Sequence, residues 1–442
     1  MIKRLAAFLL IFNCAVSYAQ TIKTDVLVIG GSPSGVAAAI QCARSKVKTV
    51  LVEPSSRLCP ELMGQDILRI TIVCDLPGGI WGEFRKRVKE HYSKTTGFDT
   101  AFNAPLKFEP DTGAAILARI ADTVKNLTIN LNTTFSGIEK DGDRWEVTIM
   151  QDGKKETIKP RVVIDATANG DILKKANAVS PAGWAVDIND KGTLYRTSIA
   201  SGHIIYVSPN ATTVRGGIML SNNTCFVPMC AIVAKGADNL LVSETHSEID
   251  KDIENLPMQL SVGQGVGVTA AYCAFFKTAT ANLNVRAIQG ELQDFKVYLQ
   301  PLEDITQDPY WRAMQQICTT GLLKGKYSIG KGYLFMPDSI VTTAEIKPVM
   351  LEIYTRAFIW FNREKPGTQF TIGNLLSFIS ELTLTDPDNL RKSISKAWTE
   401  QFHFTSPFDP DRPINRREFA ILANKYLNPF ARTVDLSGRV VN

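Results

Sequence analysis

Asp25-Val26-Leu27-Val28-Ile29-Gly30-Gly31-Ser32-Pro33-Ser34-Gly35-Val36-Ala37-Ala38-Ala39-Ile40 and, eight residues on, Thr49-Val50-Leu51-Val52-Glu53 decide the fold. Val26 to Ile29 is apolar at every position, as a strand buried on both faces requires. The run stops at Gly30, and the small apolar stretch Val36 to Ala43 is helix-compatible. A second apolar run, Val50 to Val52, ends in an acid about 20 residues past the glycines, which is the dinucleotide-binding βαβ layout. In this layout Gly30 makes the tight turn and Gly35 lets helix and strand pack closely. The helix N-terminus faces a pyrophosphate with its free N–H groups and positive dipole end. Glu53 is placed to accept bonds from ribose hydroxyls. Serine stands at the second glycine place of the Gly-x-Gly-x-x-Gly register, and a plain βα turn in another doubly wound domain is the alternative reading.

Ahead of this unit, Met1 to Gln20 reads as a leader. Lys3 and Arg4 form a positive start, Leu5 to Phe12 an apolar stretch, and Ser17-Tyr18-Ala19 a small-x-small cleavage site. The apolar stretch is shorter than the roughly 20 residues a membrane span takes. The expected product is exported, periplasmic or secreted, with no transmembrane segment in the mature chain. Cys14 lacks the preceding residues of a lipoprotein signal.

A formal net charge of +5 in 442 residues, without a basic cluster, speaks against nucleic acid as a partner. The four histidines and eight cysteines show no metal-ligand spacing, so no metal site is expected. Cys42 and Cys273 sit in apolar helical patterns. Cys225 with Cys230, or Cys59 with Cys74, are the pairings an oxidising compartment would permit, and the sequence leaves both open.

Beyond Glu53, Trp81, Phe84, Val88 and Tyr92 recur at helical spacing, with Arg85, Lys86, Arg87 and Lys89 assigned to solvated faces. Glu109-Pro110-Asp111 starts a helix with Ile116, Leu117, Ile120 and Val124 on its core face. Trp145 to Ile149 and Thr157 to Lys159 alternate about the turn Asp152-Gly153, a hairpin signal. Val162 to Asp165 is a buried strand ending in Ala166-Thr167-Ala168-Asn169-Gly170-Asp171, small enough for a second close approach to a ligand. Residues 176–223 are polar and β-leaning. Asn239 to Ser243 is a short strand, and a glycine-rich helix is expected to begin at Val262, its N-terminus small enough to face a ligand or to pack closely on a sheet.

Four stretches carry a family resemblance: the Gly30–Gly35 loop with Glu53; Phe108-Glu109-Pro110; Ile164 to Asp171; and Asn239-Leu240-Leu241-Val242 followed by Gly263-Gln264-Gly265-Val266-Gly267. Together they resemble the FAD-dependent oxidoreductases of the two-dinucleotide-binding superfamily, and within it the exported bacterial group often mislabelled xanthan lyase. The resemblance covers about residues 24–280. It implies that Gly30, Gly31, Ser32, Ser34 and Gly35 hold the FAD pyrophosphate and Glu53 the adenosine ribose. It also implies that Thr167 and Ala168 run along the cofactor and that Gly265 and Gly267 sit near the isoalloxazine. The sequence departs from the family where Leu58-Cys59-Pro60-Glu61 replaces a glycine pair, at Ala168-Asn169-Gly170-Asp171, and where Leu256-Pro257-Met258 replaces an arginine.

Near the C-terminus, Phe335-Met336-Pro337-Asp338 through Glu345 repeats, at an offset of 73 residues, as Phe408-Asp409-Pro410-Asp411 through Glu418. Thr342 with Glu345, and Asn415 with Glu418, form capping-box-like pairs before helices. The pattern resembles surface-layer-homology modules, which implies a cell-wall polymer as a possible partner. A small helical domain without a ligand is the other reading.

The expected fold is thus α/β. A Rossmann-like FAD-binding domain with a parallel sheet and β-meander (21–175 and 224–284) follows the leader (1–20). A small β-rich, substrate-side insert (176–223) and a C-terminal all-helical repeat domain (285–442) complete it. The expected activity is FAD-dependent oxidation of a small-molecule or carbohydrate-like substrate by hydride transfer to flavin; a non-catalytic cell-surface or polysaccharide-binding scaffold is the alternative. No acid–base residue stands out; His246 and His203 are the candidates.

Overall fold

The computed structural model describes residues 21–62, 68–70, 76–101, 104–181, 185–207, 220–244, 255–328 and 331–441. The leader, Cys74 and His246 lie outside the described residues. Strand β1 (Thr21–Lys23) leads into β2 (Val26–Ile29), α1 (Pro33–Arg44) and β3 (Thr49–Val52). After β4 (Leu68–Ile70) come α2 (Gly79–Tyr92), β5 (Leu106–Phe108), α3 (Pro110–Asp122) and β6 (Leu127–Asn130). The meander β7 (Thr133–Asp141), β8 (Arg144–Gln151) and β9 (Lys154–Lys159) precedes β10 (Val162–Asp165) and α4 (Asp171–Lys175). Then follow β11 (Val186–Asp187), β12 (Ser198–Val207), β13 (Leu220–Pro228), β14 (Leu240–Val242) and α5 (Leu256–Phe276).

The centre is an all-parallel sheet of order β14-β10-β2-β3-β6. Val26, Val28, Leu51, Val162 and Ile164 face a core shared with α1 and α5; Leu27, Ile29, Val50, Val52 and Val163 face the meander with Trp145, Val147 and Ile149. Both faces are dry, which is why the strands read as unbroken apolar runs rather than alternating ones. The meander takes β1 as a parallel edge partner of β9. Its β8–β9 turn places Asp152 and Gly153 at φ of 49° and 73°, the left-handed pair a two-residue hairpin needs.

Helix α5 runs between α1 and β12, apolar around its whole circumference. It begins at Leu256, not at Val262: Pro257 sits in its first turn, where a missing N–H costs nothing, so the glycines fall mid-helix. Arg85, expected on a solvated face, is 7% exposed, because α2 is flanked by α3 and α5. In the insert, β13 crosses residue 223 and continues to Pro228, paired with β12 along its length. Cys225 and Cys230 are both free thiols, and burial pushes each thiol pKa up.

The C-terminal portion has its own core, which starts at Leu302. Helix α6 (Val285–Asp294), grouped by sequence with the helices after it, buries Val285, Ile288 and Leu292 in the first core instead. Beyond it lie α7 (Trp311–Thr320), a ribbon of β15 (Lys326–Ser328) and β16 (Gly332–Leu334), α8 (Thr343–Ile353), α9 (Ala357–Glu364), α10 (Ile372–Thr383), α11 (Pro387–Glu400) and α12 (Arg416–Tyr426). The ribbon is an exception to the all-helical expectation.

Thr342 caps α8, and Asn415 with Glu418 forms a reciprocal capping box on α12. A third unit, missed in the sequence, has the same build: Thr371 and Asn374 form a capping box on α10. It lacks the Phe-x-Pro-Asp turn, and asparagine replaces the capping acid. The segments before the three helices bridge one another in a ring, Ile340 to Asn415, Thr342 to Gln369 and Thr371 to Pro413. Arg416, fully buried, ties the ring: its guanidinium donates to Glu345, to the Lys324 carbonyl and, at 2.7 Å, to the Phe335 carbonyl. The two cores are joined by Arg196, whose guanidinium grips Glu352 with two bonds of 2.6 and 2.7 Å.

Candidate functional site at the sheet switch point

β2 and β10 lie side by side, but their connections leave in opposite directions, β2 towards β3 and β10 towards the β14 edge. The C-terminal ends of such a pair open the crevice in which doubly wound sheets bind ligands. Gly30 leaves β2 at φ +111°, and its N–H donates to Val52 O at 2.9 Å. A Cβ there would lie 2.5 Å from the Ala166 carbonyl carbon, so only glycine fits. A Cβ on Gly35 would press on the Ala166 Cβ at 2.7 Å, which explains the close helix–strand packing.

Ser32 is the N-cap of α1; its Oγ accepts the Gly35 N–H at 3.1 Å, and Pro33 occupies the first turn. The serine at the second glycine place therefore has a local role that glycine could not fill. Glu53 is 5% exposed and is spent on the loop itself. Its Oε2 accepts the Gly31 N–H at 2.6 Å and its Oε1 the Ser55 N–H at 2.8 Å.

Asp165, which sequence reasoning did not single out, organises the second strand end. One oxygen accepts the N–H and hydroxyl of Thr167, at 3.0 and 2.7 Å; the other accepts the N–H groups of Ile172 and Leu173, at 3.1 and 3.0 Å, at the start of α4. Thr167 is thereby pinned against the Gly30 turn, while Ala168 is exposed. Asp165→Asn replaces one acceptor by a donor facing N–H groups in a fully buried place. It should cost about 2–3 kcal/mol, measured as a shift in the urea midpoint; an unchanged midpoint would show that Asp165 does not carry this corner.

Glu244, also missed, follows β14 and Ser243. The Ser243 N–H donates to Asp165 O at 3.0 Å, which carries the ladder one residue further and delivers the Glu244 carboxylate to Ser32 and Ser34. The signal available in sequence was position alone: the first residue past a strand bordering the crevice.

Gly265 and Gly267 are not brought to this loop. Gly267 passes α1, where a Cβ would lie 2.6 Å from Ala38 O, and Gly265 faces Ile199 of β12, 2.9 Å from its Cδ1. The close-packing alternative describes them. Between them and α1, Gln264 donates to Gln41 Oε1 at 2.8 Å and accepts the Ile80 N–H at 2.9 Å, so a buried amide pins α1, α2 and α5 together. His203, on β12, is buried between Thr224 Oγ1 at 3.3 Å and Glu303 Oε1 at 3.6 Å. Among the described residues no cluster of His, Cys, Asp and Glu is arranged to hold a metal ion, and no helix is long and apolar enough to cross a membrane.

Residues 25–204 match the family model described as FAD dependent oxidoreductase. The match covers less than half of the chain, and it takes in the Gly30 loop, Glu53, the Asp165 corner and the start of the insert. FAD is the cofactor of that family. Among solved structures, L-proline dehydrogenase from P. horikoshii is similar at 18% identity, covering 39% of this chain and 26% of that one, with a TM-score of 0.22. Bacillithiol disulfide reductase from Bacillus cereus is similar at 18% identity over 33% of this chain and 40% of that one, TM-score 0.23. THI4 from Thermovibrio ammonificans is similar at 12% identity over 61% of this chain and 96% of that one, TM-score 0.32. The chain thus spans less than half the length of the first two. No curated protein matches significantly.

Proposed function

We propose that this chain is an exported FAD-dependent oxidoreductase that oxidises a small or carbohydrate-like substrate, while its C-terminal repeats hold a cell-wall polymer. The observation that carries the redox reading is the switch-point crevice between β2 and β10, with a capped helix N-terminus on one side and the Asp165–Thr167 corner on the other. Export rests on the leader-like composition of residues 1–20, and polymer binding on the Phe-x-Pro-Asp repeats.

A bound flavin would supply hydride acceptance. The chain's residues supply position. Ser32, Ser34 and the α1 N-terminus suit the oxygens of a diphosphate. Glu53 fixes the loop through Gly31, and Asp165 fixes the backbone of Thr167 beside it. The close contact of α5 with α1 holds the α1 N-terminus in place.

The test is an absorption spectrum of the purified mature chain. Flavin bands, with FAD released on denaturation, are expected. A colourless protein that cannot be reconstituted would overturn the redox reading in favour of a binding scaffold. The observation that favours this second reading is the Glu244 carboxylate bound to the loop serines.

A further inference from the structure

The loop suited to a diphosphate already holds an anion of the chain's own. Ser32 Oγ donates to Glu244 Oε1 at 2.5 Å, and Ser34 Oγ reaches the same oxygen as well as Ser243 Oγ at 3.0 Å. All four participants are enclosed: Ser32 is 5% exposed, Ser34 1%, Ser243 1% and Glu244 9%. Two N–H groups of the loop are engaged by the chain as well, Gly31 N–H by Glu53 and Gly35 N–H by Ser32.

A carboxylate is stabilised at a helix N-terminus for the reasons that a phosphate is: the dipole end is positive and nearby donors point outward. Two anions in one enclosed seat repel strongly, because the surroundings screen them poorly. The carboxylate is also covalently tethered, so it competes at high effective concentration. It arrives from a separate part of the chain, at the end of β14, and its departure would leave the α1 cap intact, since Ser32 still accepts Gly35 N–H.

We propose that Glu244 is an internal competitor of the cofactor's diphosphate: the α1 N-terminus holds either the Glu244 carboxylate or the diphosphate, and loading requires Glu244 to leave. This inference rests on the FAD reading above, and it makes Glu244 the residue that sets the affinity of the loop. Removing its charge opens the seat.

The experiment compares the mature wild-type chain with Glu244→Ala and with Glu244→Gln, which keeps the size and an acceptor but not the charge. FAD is titrated by calorimetry, and inorganic pyrophosphate is tested for its effect on the melting temperature of each protein. Both variants should bind FAD at least about tenfold more tightly than the wild type, the scale of one charged hydrogen bond. Equal or weaker FAD binding by the variants overturns the competitor role and leaves the FAD reading standing. If no form binds FAD, the FAD reading falls, and pyrophosphate decides the competitor role. Stabilisation confined to the variants supports it; stabilisation of neither, or of all three alike, overturns it. Glu244→Gln serves if Glu244→Ala does not fold.

Discussion

Gly30→Val is expected to destabilise the nucleotide-binding half of the chain strongly rather than merely empty its crevice. Gly30 has φ +111°, a region that β-branched residues avoid, and a Cβ would drive into the Ala166 carbonyl group. The obstacle is backbone, held by the Ala166 N–H bond to Ile29 O at 2.9 Å, so no side chain can swing aside. Backbone strain of about 1–3 kcal/mol adds to overpacking of about 1–3 kcal/mol. A combined loss of roughly 2–6 kcal/mol is a large part of a domain stability of about 5–15 kcal/mol. Urea unfolding followed by tryptophan fluorescence measures it, through Trp145 and Trp81 in the affected half. A wild-type midpoint in the variant would mean that the β2–α1 turn is not built against β10 as described.

Arg416→Ala should have an effect of similar size on the other core. Arg416 is fully buried, and its loss leaves the Phe335 and Lys324 carbonyls without their donor and the Glu345 carboxylate with the more distant Lys326 ammonium at 3.6 Å. Breaking a buried ion pair from one side costs about 3–5 kcal/mol. For a domain of this size that corresponds to a fall in melting temperature on the order of 10 °C. Calorimetry of the full chain should show the C-terminal transition moving down. Arg416→Lys should recover only part of the loss, because an ammonium cannot reach three acceptors with a planar fork. A shift of no more than about 2 °C for the alanine variant would show that the ring of capped segments holds without its tie.

Much of the fold is legible from short-range chemistry. The β2–α1–β3 unit announces itself because burial on both faces forbids polar residues and the turn forbids a Cβ. The Asp152-Gly153 hairpin is legible because two positive φ angles are needed in sequence. The cap of α8 and the capping box of α12 are legible because each lies within four residues. What stays hidden depends on distance along the chain. Glu244 is 212 residues from Ser32, and nothing near either residue signals the other. Gly265 and Gly267 suggest a helix start when read locally, whereas their smallness serves α1 and β12, two elements far away in sequence. The Thr371 unit escapes notice because its partners in the ring supply the order that its own turn residues do not. Glu53 shows a subtler case: its place in the motif is as expected, but in this structure its two oxygens are turned inward to the loop.

The ring of capped segments also dictates an order of events during synthesis. Glu345 waits 71 residues for Arg416, and Phe370 waits for Phe419, its ring partner at 6.2 Å. At ribosomal speeds that interval lasts roughly 4–14 seconds. Within it Trp360, Phe370 and Phe378, all destined for full burial, emerge with no finished core to enter. A nascent chain of this protein therefore carries uncovered apolar side chains late in translation, and a stop codon shortly before Arg416 would release them without their core partners Phe419 and Leu422.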